Sequence, residues 1–163
     1  MFISHYAVSL AAKKIKPELP LWLLLLGTMA VDFWSTINRQ FELAAFYGHS
    51  LLFVGINMAV MAAAGLIFYR TLVNILILLF LPLSHFLMDL VTGKMQWWAG
   101  GPHIGLGLYS IPWLEFIIDS AIFAGCLVFY MRLFPKSKKR TIWFAVIISV
   151  FVVLQAAYNF FLS

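Results

Sequence analysis

Five apolar runs of spanning length, residues 19–37, 47–69, 72–91, 113–134 and 142–161, leave this chain little sequence for anything but membrane helices. A helix crosses a hydrocarbon core of about 30 Å with about 20 apolar residues, and helices or closed barrels alone satisfy their backbone hydrogen bonds there. Charged residues are 10% of the 163, against about 25% in a soluble domain. The expected fold is therefore all-α: one integral membrane domain over residues 1–163, a polytopic transmembrane helical bundle of five long spans. A short N-terminal helix over residues 2–16 precedes them, and it either spans, re-enters or lies at the interface. Pro17 and Pro20 end it. Its apolar part comes before Lys13, Lys14 and Lys16, which argues against a cleaved secretory signal.

The net charge of +5 is explained by orientation rather than by nucleic acid. Alternating spans put Lys13, Lys14, Lys16, Arg70, Arg132, Lys136, Lys138, Lys139 and Arg140 on one side, leaving Arg39 and Lys94 on the other. By the positive-inside rule the basic loops are cytoplasmic. The single cysteine, Cys126, lies among apolar residues and supports neither a disulfide nor a thiolate site.

Against this apolar background, His85 and Asp89 stand four residues apart and so share one helix face. An ionisable group at membrane depth costs roughly 2.5–3.5 kcal/mol on insertion scales, so it is expected to be paired or to serve a metal, proton or substrate. The same topology carries Asp32, His49, Glu115 and Asp119 to the extracytoplasmic half, with His5 joining them if the first helix crosses most of the membrane. Five of the six acidic residues and all four histidines fall in that half. Imidazole and carboxylate are the donors of zinc, manganese and non-haem iron sites, and a bound cation supplies the positive charge that the carboxylates need.

Plainer readings stand beside these. His85 and Asp89 can be a hydrogen-bonded joint between helices, and Glu115 and Asp119 can pair with Arg39 or Lys94. His103 lies in a glycine-rich connection, residues 94–112, where an exposed histidine is the simplest expectation; those glycines lack the strand-to-helix setting of a phosphate loop but suit a lid or re-entrant segment. Trp97, Trp98 and Trp113 suit an interfacial aromatic belt.

His5, Asp32, Gly48-His49-Ser50 and Ser84-His85-Phe86-Leu87-Met88-Asp89 resemble, in order and spacing, a bacterial family of membrane-bound metal-dependent hydrolases. The resemblance extends through Gly100-Gly101-Pro102 and Gly105-Leu106-Gly107-Leu108-Tyr109, covering roughly residues 1–130. It implies a metal site at His5, Asp32, His49, His85 and Asp89. Two departures count against a second metal: Ala44 stands where the family often has a further histidine, and Phe33 and Trp34 follow Asp32 where a second aspartate is common.

The expected function is a metal-dependent hydrolase of the bacterial inner membrane, with zinc as the first choice of divalent ion and manganese or iron as alternatives. Glu115 and Asp119 are the expected catalytic carboxylates, with Glu115 as the base. The expected partners are the lipid bilayer and a lipid-like or phosphoester substrate, and no nucleic acid. An ion- or proton-coupled transporter and a non-catalytic membrane scaffold are the alternatives.

Overall fold

The computed structural model describes residues 4–41, 49–98 and 100–162. Among the described residues there are six α-helices: α1 Ser4–Ile15, α2 Leu21–Phe41, α3 Leu51–Ala64, α4 Leu72–Thr92, α5 Pro112–Met131 and α6 Lys138–Ala157. Single π-helical turns, Gly65–Tyr69 and Tyr158–Leu162, extend α3 and α6. Among the described residues, four helical segments are long and apolar enough to cross a membrane: Leu51–Tyr69, Leu72–Thr92, Pro112–Met131 and Lys138–Phe160. The fifth expected span is represented by a shorter apolar segment, Leu21–Ile37. Its helix nevertheless runs on to Phe41, past the polar connection expected from residue 38. Ala44 and Gly48 lie outside the described residues.

The central helix is α4, against which α1, α2 and α3 all pack. Its buried stripe runs Leu78, Leu81, His85, Asp89 and Thr92, steps of three and four that keep one face inward. The stripe begins apolar and ends ionisable. Pro82 lies within it and α4 continues through, while Ser84 Oγ donates to the Leu81 carbonyl at 2.7 Å.

The first helix is an internal piece rather than a surface one. At 12 residues it is about 18 Å long, too short to span. Its Ser4, Ala7, Ser9 and Ala12 are buried against α2, α4 and α5. Small side chains let neighbouring backbones approach, and Ser9 Oγ donates to the Leu24 carbonyl at 2.8 Å across that gap. Lys13 Nζ reaches the Pro17 and Leu19 carbonyls at 2.5 and 2.8 Å, closing the turn into α2. Leu19, Leu23, Leu24, Met61, Leu78 and Leu81 then form an apolar plug at this end of the bundle.

On the other side, α5 and α6 pack through Phe123, Leu127, Phe144, Ile147 and Phe151, with Ala7 of α1 beneath them. Trp143, Val146, Val150 and Val153 of α6 face outward, as a helix solvated by hydrocarbon does. Trp97, Trp98 and Trp113 are exposed at one end of the bundle, which suits the expected aromatic belt.

The glycine-rich connection contains a short two-stranded pairing. Strands β1 Met95–Gln96 and β2 His103–Ile104 pair antiparallel, and His103 is exposed. The segment docks on the end of α4 through Leu106 N–H to the Leu90 carbonyl, at 2.8 Å, and Gly107 N–H to the Gly93 carbonyl, at 3.2 Å. Gly105 makes that approach feasible: its φ is +127°, and a Cβ there would lie 2.2 Å from the Gly93 oxygen. Gly105→Ala is therefore expected to lower stability by about 2 kcal/mol or more, read as a drop in the thermal unfolding midpoint in detergent. An unchanged midpoint would contradict this docking.

Candidate metal centre

Three histidines from separate segments converge on one aspartate. Asp89 Oδ1 lies 3.2 Å from His5 Nε2, and Asp89 Oδ2 lies 3.1 Å from both His49 Nε2 and His85 Nε2. Asp32 Oδ1 closes the group from α2, 3.4 Å from His49 Nε2 and 3.4 Å from His85 Nε2. The His5 and His85 rings stack, 4.0 Å between centroids and 13° from parallel, so their Nε2 atoms reach Asp89 side by side.

Each member arrives for a local reason. His5 lies in the first turn of α1, and Asp119 of α5 holds that turn by accepting from the Ser4 N–H at 3.3 Å and from the Ser4 hydroxyl. A carboxylate there also meets the positive end of the helix dipole. His49 precedes Ser50, which caps α3 by accepting from the Phe53 N–H. His85 and Asp89 occupy successive turns of the α4 stripe.

The separations of 3.1–3.4 Å match two arrangements, direct histidine–carboxylate ion pairs and ligands gathered around a cation. Among the described residues, His5 Nε2, both ring nitrogens of His85 and Asp89 Oδ2 are buried with no hydrogen-bond partner. The contacts have the length of ion pairs but not the direction of N–H to oxygen bonds. Bond lengths of about 2.0–2.2 Å from a divalent cation to imidazole and carboxylate place neighbouring donor atoms about 3.0–3.5 Å apart. His5, His85 and Asp89, and likewise Asp32, His49 and His85, each offer donor atoms within 4.8 Å of one another. Each of these two groups therefore offers donors suited to a cation.

Ser35 completes the orientation of His49. Its Oγ lies 2.7 Å from His49 Nδ1 and can donate to the Val31 carbonyl, at 3.5 Å. In that arrangement Ser35 accepts from Nδ1–H, which leaves the Nε2 lone pair toward the carboxylates. Burial lowers the proton affinity of His49, but Asp32 and Asp89 outweigh it and raise the imidazole above its ordinary range. The pocket therefore attracts positive charge.

The centre opens into a cavity of about 840 Å³ lined by His5, Asp32, His49 and Asp89, together with Tyr109, Met95 and Gly93 around the hairpin. Burial, then the charge of Asp89, pushes the Tyr109 phenol well above its usual range, so it keeps its proton and can donate. Ser35 and Tyr109 were not foreseen from sequence. Tyr109 ends a quoted glycine motif without any mark of its own, and Ser35 lies one turn past Asp32, where i+3 spacing is its single available signal.

Glu115 and Asp119 are fully buried, and neither lines the cavity. Glu115 accepts from Gln155 Nε2 at 3.4 Å and from Asn159 Nδ2, and Asn159 also donates to the Pro112 carbonyl at 3.0 Å. These bonds join α5 to α6 and its terminal turn. Asp119 joins α5 to α1. Lys94, one of the expected partners, is exposed, and the side chain of Arg39 lies outside the described residues.

In comparisons with known proteins, no family model matches this chain, and no curated protein or solved structure matches it either.

Replacing Asp119 by alanine would leave the Ser4 N–H and hydroxyl inside the bundle without their acceptor, a loss of about 1–3 kcal/mol. Hydrogen exchange should then rise first at the amides of α1, ahead of α3 and α4. Uniform exchange across the bundle would count against a specific hold on α1.

Proposed function

We propose that this chain is a multipass membrane hydrolase, dependent on a divalent metal, whose site lies in the extracytoplasmic half of a bacterial inner-membrane bundle. One observation carries the reading: three histidine Nε2 atoms and two carboxylates stand 3.1–3.4 Å apart, and among the described residues His5 Nε2, His85 Nε2 and Asp89 Oδ2 are buried without a hydrogen bond. Zinc is the first choice for such nitrogen and oxygen donors, with manganese or iron next. The motif resemblance points to the same residues. A divalent cation bound there would lower the pKa of a water toward about 7 and polarise a phosphoryl or acyl oxygen.

The chain's own residues divide the remaining work. Asp89, with 10% of its side chain exposed and three histidines around it, anchors the set. Asp32 keeps 44% of its side chain exposed within the cavity, which suits the labile ligand or the base that takes a proton from water. Asp32 thus takes the role first expected of Glu115, whose carboxylate is held by Gln155 and Asn159. Tyr109 offers its hydroxyl as a hydrogen-bond donor to a developing negative charge. Ser35 keeps His49 turned toward the cation.

A carrier is the less favoured reading because a transport path needs ionisable groups through both halves. Here the other half is filled by the plug around Leu19, Leu24, Leu78 and Leu81.

Protein purified in mild detergent without chelator should carry about one equivalent of zinc, manganese or iron, the ion and the folded site being linked. His85→Ala and Asp89→Ala should lose it while remaining helical. Ser35→Ala should retain the site with metal affinity weakened about 10- to 100-fold. Chelation should stop cleavage of a short-chain phospholipid, and added zinc should restore it. Folded wild-type protein that takes up no metal on titration would end this reading.

A further inference from the structure

The cavity has a second wall that hydrolysis of a water-soluble molecule would not need. From the polar cluster it extends along α2 past Phe33, Ala30, Met29 and Leu26, and along α3 past Val60 and Met61. Phe33, Val60, Leu26 and Met29 are 61, 60, 53 and 45% exposed, so this wall lies open on the apolar side of the bundle. The cleft has a defined depth. Asp32 meets His49 at its polar end. At its apolar end α2 and α3 come so close that a Cβ on Gly27 would lie 2.7 Å from Met61 Cε. From Leu26 to Thr36 the α2 wall spans roughly 15 Å, and over its last roughly 6 Å it carries Asp32, Ser35 and Thr36 beside Phe33.

One continuous cavity thus joins ionisable groups and hydrogen-bond donors to an apolar trough open to the side. That gradient is the shape of an amphiphile. Water gains nothing from such a trough, whereas an acyl chain lying in it buries methylenes at about 0.8 kcal/mol each.

We infer that the α2–α3 cleft seats one acyl chain of a bilayer lipid, entering sideways from the membrane, with the ester or phosphoester headgroup at the His5, Asp32, His49, His85 and Asp89 cluster. This rests on the hydrolase reading for the role of the headgroup end and names the substrate class of that site. Tyr6 and Asn57 line the passage between headgroup and chain. Asn57 Nδ2 is turned back to its own Phe53 carbonyl at 2.9 Å, which leaves the passage wall less polar than its sequence suggests.

The test uses the full chain in vesicles of phosphatidylethanolamine and phosphatidylglycerol, doped with a phosphatidylglycerol bearing a diazirine midway along one chain. After illumination, labelled positions are mapped by mass spectrometry, and the metal content of the same sample is measured. Labelling at Met29, Phe33 and Val60 should exceed that at Val150 and Val153 of α6, which are comparably exposed. Val60→Trp should cut cleft labelling roughly fourfold, the loss expected when about one methylene is no longer seated. Val150→Trp should leave it unchanged, and both variants should keep the wild-type metal content. Labelling spread over all outward faces in proportion to exposure, or cleft labelling unaffected by Val60→Trp, would overturn the inference. The wild-type map decides the matter even if Val60→Trp fails to fold. Cleft labelling in metal-free protein would support the seat while ending the hydrolase reading, and metal with even labelling would do the reverse.

Discussion

The structure depends on one constraint: ionisable groups in an apolar bundle must find partners at their own depth. Asp89 and three imidazoles meet that demand together, because none could be buried alone at tolerable cost. The need explains the short α1, which does not cross the bundle but carries His5 to Asp89. It also explains why the first turn of α1 is tied down by Asp119. Small residues on α1 let α2, α4 and α5 close around it, so the helix too short to span becomes the one that completes the cluster.

Polarity is otherwise divided by depth. The far end is sealed by leucines, and the outer faces of α3, α5 and α6 carry exposed apolar side chains. Between them lies a cavity with an ionic end and an apolar side. The hairpin after α4 closes the ionic end and docks there through backbone bonds, and for that reason Gly105 cannot bear a Cβ. Position in the bundle, more than any single residue, gives the cluster its chemical interest.

Much of this was legible in the sequence, and the limits have physical causes. The apolar runs fixed the helices to within a few residues, since hydropathy over a long window responds to the bilayer rather than to neighbours. The i, i+4 spacing of His85 and Asp89 announced a shared face, and helix alternation brought Asp32 and His49 to it. The same spacing in Glu115 and Asp119 gave an identical signal with a different outcome. Those side chains lie where α5 meets two helices at once, so one joins α6 and the other α1. Spacing reports the face of a helix and not what stands opposite. Ser35 and Tyr109 were invisible for the same reason, their roles being fixed by tertiary neighbours.

X-ray absorption at the metal edge of zinc-loaded protein tests the central claim most directly. The account predicts about three imidazole nitrogens at roughly 2.0–2.1 Å and one or two carboxylate oxygens at 2.0–2.2 Å. A spectrum with oxygen neighbours alone and no imidazole scattering would place the ion outside the cluster and contradict the account.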